Sequence, residues 1–256
     1  MRLAVNIDHF ATLREARKAT EPEPVLVALL AEQAGAHGIV CHIRTDRRHI
    51  KERDLRLLRD AVKTKLNVEM AATEEMKKIA LEIGPDVVSL VPERPEELTT
   101  EGGLKVAANR KILGPHIKAL GKAGIRTSIF IDTNLDEIAA ARELGIDLIE
   151  VNTGKYAELK EGRARDKSLE AVRKAAEFGH KIGLEVHGGH GLDYRNVGPI
   201  AAIPEISELS IGFSIVARAA VVGIERAVWE MLDLLGTCPK GPGKGPLGRV
   251  PVLARS

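Results

Sequence analysis

Apolar and polar residues alternate in short bursts along this chain, and the bursts share a design. Leu3, Val5 and Ile7 interleave with Ala4, Asn6 and Asp8, and Ile39, Cys41 and Ile43 with Val40, His42 and Arg44. Leu66, Val68 and Met70 do the same with Asn67 and Glu69, as do Ile149 and Val151 with Leu148, Glu150 and Asn152. Residues two apart share a face of a strand, so each segment has one apolar face and one that turns polar toward its C-terminal end. β-rich runs of this length are RLAVNID, GIVCHIR, LNVEM, VVSLVP, RTSIFID, LIEVN, LEVHGG and LSIGFS, about eight in all. Helical patterns lie between them. Pro22 and Pro24 suit a first helical turn and Gly35 its end, Asn134 with Glu137 resembles a capping box closed by Gly145, and GIERAVWEMLDLL is an amphipathic last helix. Its Trp229 is expected in core or interface packing.

Eight βα units in about 235 residues favour an α/β fold of the (β/α)8 TIM-barrel type over a doubly wound sheet. The connections 93–125 and 154–183 exceed a simple crossover, which predicts additional helices or a lid there. Residues 1–236 form the expected single domain. The stretch 237–256, rich in Gly and Pro without periodicity, is an expected disordered tail.

In a barrel the polar strand ends converge on one mouth. There Asp8, Glu69 and Glu150 are positioned to partner His42 and Arg44. An ion-paired structural layer inside the barrel is the alternative and is disfavoured, because apolar residues fill a barrel at lower cost than carboxylates. VHGGHGL (186–192) and SIGFS (210–214) place glycines just after strands seven and eight, where barrels often bind phosphate through backbone N–H groups. A second anion locus is available at Arg44, with Arg47 and Arg48 read as a solvated loop and TTEGG (99–103) as a candidate lid.

Charge narrows the options. Thirty-eight Lys and Arg against 36 Asp and Glu leave no global field for nucleic acid or a membrane surface, and two Tyr, four Phe and one Trp offer few stacking platforms. The longest apolar run near the front, VLVALLA, is too short to span a bilayer, and the first residues show no secretory pattern. Cys41 and Cys238 are too far apart to suggest a disulfide framework or zinc spacing, so a cytoplasmic location is expected. No lysine sits on a candidate strand, which argues against Schiff-base catalysis, and Lys155 just after strand six is expected outside. With neither HExxH nor His-x-His, a metallohydrolase is not expected and the metal expectation is none, although His42, His187 and His190 with Glu69 remain a minority metal reading. His37, His116 and His180 are expected at the surface.

Six segments in register, VNIDHFATLREAR (5–17), HIRTDRRHI (42–50), NVEMAATEEM (67–76), LVPE (90–93), TTEGGL (99–104) and GHGLDYRNV (189–197), resemble the pyridoxine 5'-phosphate synthase family of vitamin B6 biosynthesis. The resemblance spans roughly residues 1–236. It implies a TIM barrel with additional helices, a homo-octamer, and a cofactor-free, transferase-type synthase. That enzyme condenses 3-amino-2-oxopropyl phosphate with 1-deoxy-D-xylulose 5-phosphate to give pyridoxine 5'-phosphate, phosphate and water. By the same resemblance His42 and Glu69 accept protons, His190 donates one, and Glu150 stabilises charge in an intermediate. Asn6, Arg17, Gly191, Gly212 and Phe213 would contact the aminooxopropyl phosphate; Asp8, His9, Arg44, His49 and Thr99 would contact the deoxyxylulose phosphate. Several proton transfers at different atoms call for several acid/base groups near neutrality, and two phosphorylated substrates call for two anion sites.

The chain departs from the family in places. It has His187-Gly188-Gly189-His190-Gly191 where relatives commonly read Asn-Ala-Gly-His-Gly, and Phe213 where they commonly read His. Near Asn152 and Lys155 it lacks the family's His-Thr-Gly-Cys-Tyr but keeps Glu150. A second imidazole can shift the pKa of the expected acid. Another phosphosugar isomerase or lyase on the same barrel, acting on one substrate, is the alternative enzyme. Arg44, Arg47, Arg48 and the basic tail as a nucleic-acid surface is the non-catalytic alternative.

Overall fold

The computed structural model describes residues 1–93 and 102–238. Eight parallel strands pair in chain order and close, β1 on β8: β1 Arg2–Asn6, β2 Gly38–His42, β3 Leu66–Met70, β4 Val87–Leu90, β5 Arg126–Ile131, β6 Leu148–Asn152, β7 Glu185–Gly189 and β8 Ile206–Ile211. The expected barrel is the fold found. Around it lie α1 Asp8–Arg17, α2 Pro24–Gln33, α3 Glu52–Ala61, α4 Glu74–Ile83, α5 Val106–Lys122, α6 Leu135–Glu143, α7 Gly154–Glu158, α8 Arg163–Lys181, α9 Val197–Ala201, α10 Phe213–Val222 and α11 Ile224–Leu234. The connection 154–183 holds two helices, as expected. In 93–125 the described part holds α5 alone. None of the described helices is long and apolar enough to cross a membrane.

Local chemistry sets the helix ends. Pro24 occupies the first turn of α2, Thr73 Oγ1 accepts the Met76 N–H at the start of α4, and Gly84 ends that helix at φ +61°. Asn134 caps α6 by accepting the N–H groups of Asp136 and Glu137. The expected capping box is only half made, because Glu137 Oε2 instead accepts the Ala107 N–H at the start of α5, 2.9 Å away.

Between strands and helices the apolar strand faces form the core. Leu3, Val5, Ile39, Cys41, Leu66, Met70, Ile149 and Val151 are all shut off from water. Each large side chain so buried contributes about 1.5–3 kcal/mol. Trp229 is 44 % exposed, so it is not core, and Leu13, Leu26 and Val221 are exposed on α1, α2 and α10, helices that pack on one another and on α11. His37 is half-buried and accepts the Leu3 N–H through Nδ1, while His116 is buried with Nδ1 on the Ile112 carbonyl; both correct the surface expectation. His180 and Lys155 are exposed as expected.

An ion-paired layer does lie inside the barrel, but at its N-terminal end and built from residues other than the strand-end groups for which such a layer was the alternative. Glu208 faces Arg2 at 3.3 Å, His187 Nδ1 at 3.6 Å, and Lys65; Glu185 is paired with Arg2, Arg126 (2.8 Å) and His187 Nε2 (2.9 Å). Lys65 stands one residue before β3, so a scan of the strands passes over it. Carboxylates are tolerated there because three cations, Arg2, Lys65 and Arg126, converge on them together with the His187 ring. His187 is therefore committed to this layer and not to a metal site.

Of the expected tail, Thr237 donates its N–H to the Leu232 carbonyl and Cys238 packs against the core. Residues 239–256 lie outside the described residues.

Candidate active site

Strand register decides what looks into the mouth. Asn6 pairs with Val40, His42 with Glu69, Glu69 with Ser89, Phe130 with Glu150, Glu150 with His187, and Asn152 with Gly189. Because side chains alternate, Asn6, His42, Glu69, Phe130 and Glu150 all fall on the inner face, at or near the C-terminal strand ends.

On the β1–β3 side the groups interlock. Asp8, expected at a strand end, is the first residue of α1. Its Oδ1 accepts the His42 N–H at 2.7 Å, its Oδ2 accepts Asn6 Nδ2 at 2.8 Å, and its own N–H donates to Asn6 Oδ1 at 2.9 Å. His42 is buried, with Nδ1 3.9 Å from Glu69 Oε2 and Nε2 2.9 Å from Glu93 Oε1. The His49 ring meets the His42 ring edge-on, centroids 6.1 Å apart. Burial pulls His49 below the usual histidine range, against the charge of Asp8, and its Nδ1 accepts the Ile50 N–H; the ring is neutral at pH 7 with its proton on Nε2. Arg44 is buried beside this group, 3.9 Å from Asp46 Oδ1.

Arg47 and Arg48 are tied to Glu52, Glu75 and Asp46 near the surface, as the solvated-loop reading has it. A pair that sequence reasoning missed braces the rim: Arg14 grips Asp54 through two hydrogen bonds of 2.8 and 2.7 Å, and donates to the His49 carbonyl at 3.1 Å. It fastens α1 to the loop that carries His49. A charged residue on an outward helix gave no signal of this in one dimension.

Across the barrel, Glu150 leans over β7. A Cβ added to Gly189 would overlap Glu150 Oε1 and stand 2.9 Å from its Cδ, so the glycine leaves the room that the carboxyl fills. His190 follows at φ +80°, its ring 6.1 Å from that of Phe130 and close against Gly154. Gly191, at φ +74°, packs on Ala157. The two glycine loops meet: Ser214 Oγ donates to the Leu192 carbonyl at 2.8 Å. Gly212 approaches Asn6 and precedes α10, whose first turn has no side-chain cap, leaving N–H groups free for an anion. Phe213 is exposed and stacks edge-on with His9 at 5.4 Å.

Two expected contacts lie apart. Arg17 is exposed at the far end of α1, about 13 Å along the helix from Asp8 at 1.5 Å per residue. Thr99 and most of the candidate lid lie outside the described residues; of its glycines, Gly103 is seated on β5, donating to Asp132 Oδ1 at 2.9 Å.

The electrostatics are those of a crowded carboxyl pocket. Burial, then the charges of Glu150 and Asp8, push the Glu69 carboxyl well above the usual range. Burial and the charge of Glu208, opposed by Lys65, lift Glu150 to about 8. At neutral pH Glu150 therefore keeps its proton, and Glu69 is pushed the same way. Asp8, His42 and Glu69 also present ligand atoms within 4.8 Å of one another. Both Asp8 oxygens are already engaged, however, and the Glu69 carboxyl is pushed toward its protonated form, so the donor set suits proton transfer better than a divalent cation.

Residues 3–237 match the family described as pyridoxal phosphate biosynthesis protein PdxJ. The chain belongs to this family. It is 55 % identical over 236 residues to the pyridoxine 5'-phosphate synthase of Chlorobium luteolum, covering 92 % of this chain and all of that protein. It is 53 % identical to that of Syntrophotalea carbinolica, covering 91 % and 98 %. Membership makes the chain an enzyme that carries out a synthase reaction in pyridoxine biosynthesis. Among solved structures, a thiamine phosphate pyrophosphorylase from Pyrococcus furiosus superposes with TM-score 0.57 at 18 % identity, covering 93 % of this chain and 96 % of that one. A 4-hydroxy-2-oxoglutarate aldolase superposes with TM-score 0.61 at 15 % identity, covering 91 % and 94 %. These two share the fold with the PdxJ chain and nothing finer.

Proposed function

We propose that this PdxJ chain condenses 3-amino-2-oxopropyl phosphate with 1-deoxy-D-xylulose 5-phosphate, releasing pyridoxine 5'-phosphate, inorganic phosphate and water. The observation that carries the reading is the packing of Asp8, His42, Glu69 and Glu150 into one mouth, where burial and mutual repulsion push the Glu69 and Glu150 carboxyls toward their protonated forms. Imine formation, dehydration and ring closure each move a proton at a different atom, and such groups supply and take them. His42 and Glu69 act as acceptors and His190 as donor. An incoming ammonium lowers the pKa of Glu69 and frees it to work as a base. Glu150, neutral at pH 7, donates a hydrogen bond to charge developing on an intermediate.

Phosphate binding falls to two loci. The joined loops around Gly191 and Gly212, with the first turn of α10, take the aminooxopropyl phosphate together with Asn6. Arg44, His49, His9 and Asp8 take the deoxyxylulose phosphate, with Thr99 as a further contact. Phe213 is compatible with binding through backbone N–H groups, which need no side chain at that position. Arg17 remains assigned to the aminooxopropyl phosphate by resemblance alone.

The partners are these small phosphorylated substrates, in the cytoplasm and without nucleic acid or membrane. The chain works as a homo-oligomer, an octamer by resemblance. Exposed Leu13, Leu26, Val221 and Trp229 on neighbouring helices are apolar surface suited to a second copy.

Purified protein given both substrates is expected to form pyridoxine 5'-phosphate, and Glu69→Gln or His42→Ala to abolish it. Folded protein that makes none from authentic substrates rejects the reading. Turnover of either substrate alone points instead to an isomerase or lyase.

A further inference from the structure

His42 is gripped from three directions. Asp8 holds its backbone, Glu69 faces Nδ1 at 3.9 Å, and Glu93 Oε1 lies 2.9 Å from Nε2. Glu93 sits three residues beyond the end of β4, with its side chain only 6 % exposed. Its other oxygen is also fixed: Oε2 accepts the Thr45 N–H at 3.1 Å and the Thr45 hydroxyl at 2.8 Å. The carboxylate thus spans the exits of β4 and β2 and meets three donors, all contributed by β2 and the loop after it.

A buried carboxylate so surrounded is an acceptor. Burial alone raises the Glu93 carboxyl, but the bonds from His42 and Thr45 outweigh it and hold it at about 2, ionised wherever the enzyme works. The proton between His42 and Glu93 therefore belongs to Nε2. Nδ1 is left with its lone pair, facing Glu69 at 3.9 Å. Without a fixed acceptor a neutral imidazole samples both tautomers, and one of them buries the basic nitrogen on the wrong side.

We propose that Glu93 is a positioning residue for the reaction, fixing His42 as its Nε2–H tautomer so that Nδ1 is the basic nitrogen presented to the Glu69 pocket. The proposal rests on His42 being a proton acceptor, as read above. Glu93 does not itself touch the reacting atoms; it acts through the ring and through its own anchorage on Thr45.

The test is imidazole nitrogen NMR on full-length protein labelled in histidine, without substrate, with His42 assigned from the spectrum of His42→Asn. Wild type is expected to show His42 as one tautomer, protonated on Nε2. Glu93→Gln keeps the shape but offers an amide N–H to Nε2, and is expected to move the proton to Nδ1. Turnover should fall at least about 10-fold, the scale on which losing an orienting carboxylate acts, with KM changed less than about threefold. Thr45→Val, which keeps the charge and the backbone N–H but removes the hydroxyl donor to Glu93 Oε2, should loosen the carboxylate, giving a mixture of tautomers and a smaller loss, and it carries the test if Glu93→Gln does not fold. An unchanged tautomer in a folded Glu93→Gln overturns the proposal. A shifted tautomer with undiminished kcat leaves Glu93 orienting the ring but refutes His42 as the proton acceptor.

Discussion

Replacing Glu150 by glutamine should change how stability depends on pH. The native carboxyl titrates at about 8, raised by burial and by the charge of Glu208 and opposed by Lys65, against 4.5 for the unperturbed group. Between those values the folded protein holds a proton that the unfolded chain releases, so unfolding is favoured as pH rises and the contribution of this residue to stability falls. Below about 4.5 both states are protonated, and above 8 both are ionised, so the slope is confined to that window. At 1.36 kcal/mol per pKa unit the destabilisation is about 1 kcal/mol at pH 5, about 3 at pH 7 and about 4 at pH 8. Glutamine carries no such term. The stability of Glu150→Gln relative to wild type should therefore improve by about 3 kcal/mol from pH 5 to pH 8, or roughly 6–12 °C in relative melting temperature for a chain of this size. Calorimetric melts of both proteins at pH 5, 6, 7 and 8 read it directly. A wild-type minus variant difference that stays constant across that range refutes the crowded, proton-storing pocket.

Gly189→Ala places a methyl where the Glu150 carboxyl lies, and 3.1 Å from the Ser210 carbonyl; about 1–3 kcal/mol of overpacking and a large fall in turnover are expected, read by melts and product formation. Arg14→Met leaves the buried Asp54 charge without its bidentate partner, and urea unfolding should show a loss of about 3–5 kcal/mol. Phe213→Ala should leave KM for the aminooxopropyl phosphate within about twofold, since an exposed ring beside backbone donors adds little to anion binding; a tenfold rise would show that the ring itself shapes the site.

Under the proposed reading, proton storage and anion capture divide the mouth: Glu69 and Glu150 lie on the inner face of β3 and β6, whereas the two anion loci would use the loops after β7 and β8 and the buried Arg44 after β2.

Strand periodicity alone was enough for the eight strands and for the inner-face assignment of Asn6, His42, Glu69 and Glu150, because alternation is a local property of extended backbone. Family likeness added roles for His49, His190 and Gly212, which no period marks. Other features required the closed sheet. Lys65 reaches Glu208 across 143 residues of sequence, Glu93 reaches His42 across 51, and Arg14 reaches Asp54 across 40. His116 looks polar in sequence yet is buried, and Trp229, readable as core or interface, is exposed and so is not core. Sequence thus determined which side of each strand faces inward, whereas only tertiary closure decided which charges neutralise one another, since electrostatic partners are selected by distance in space and a linear pattern carries none of it.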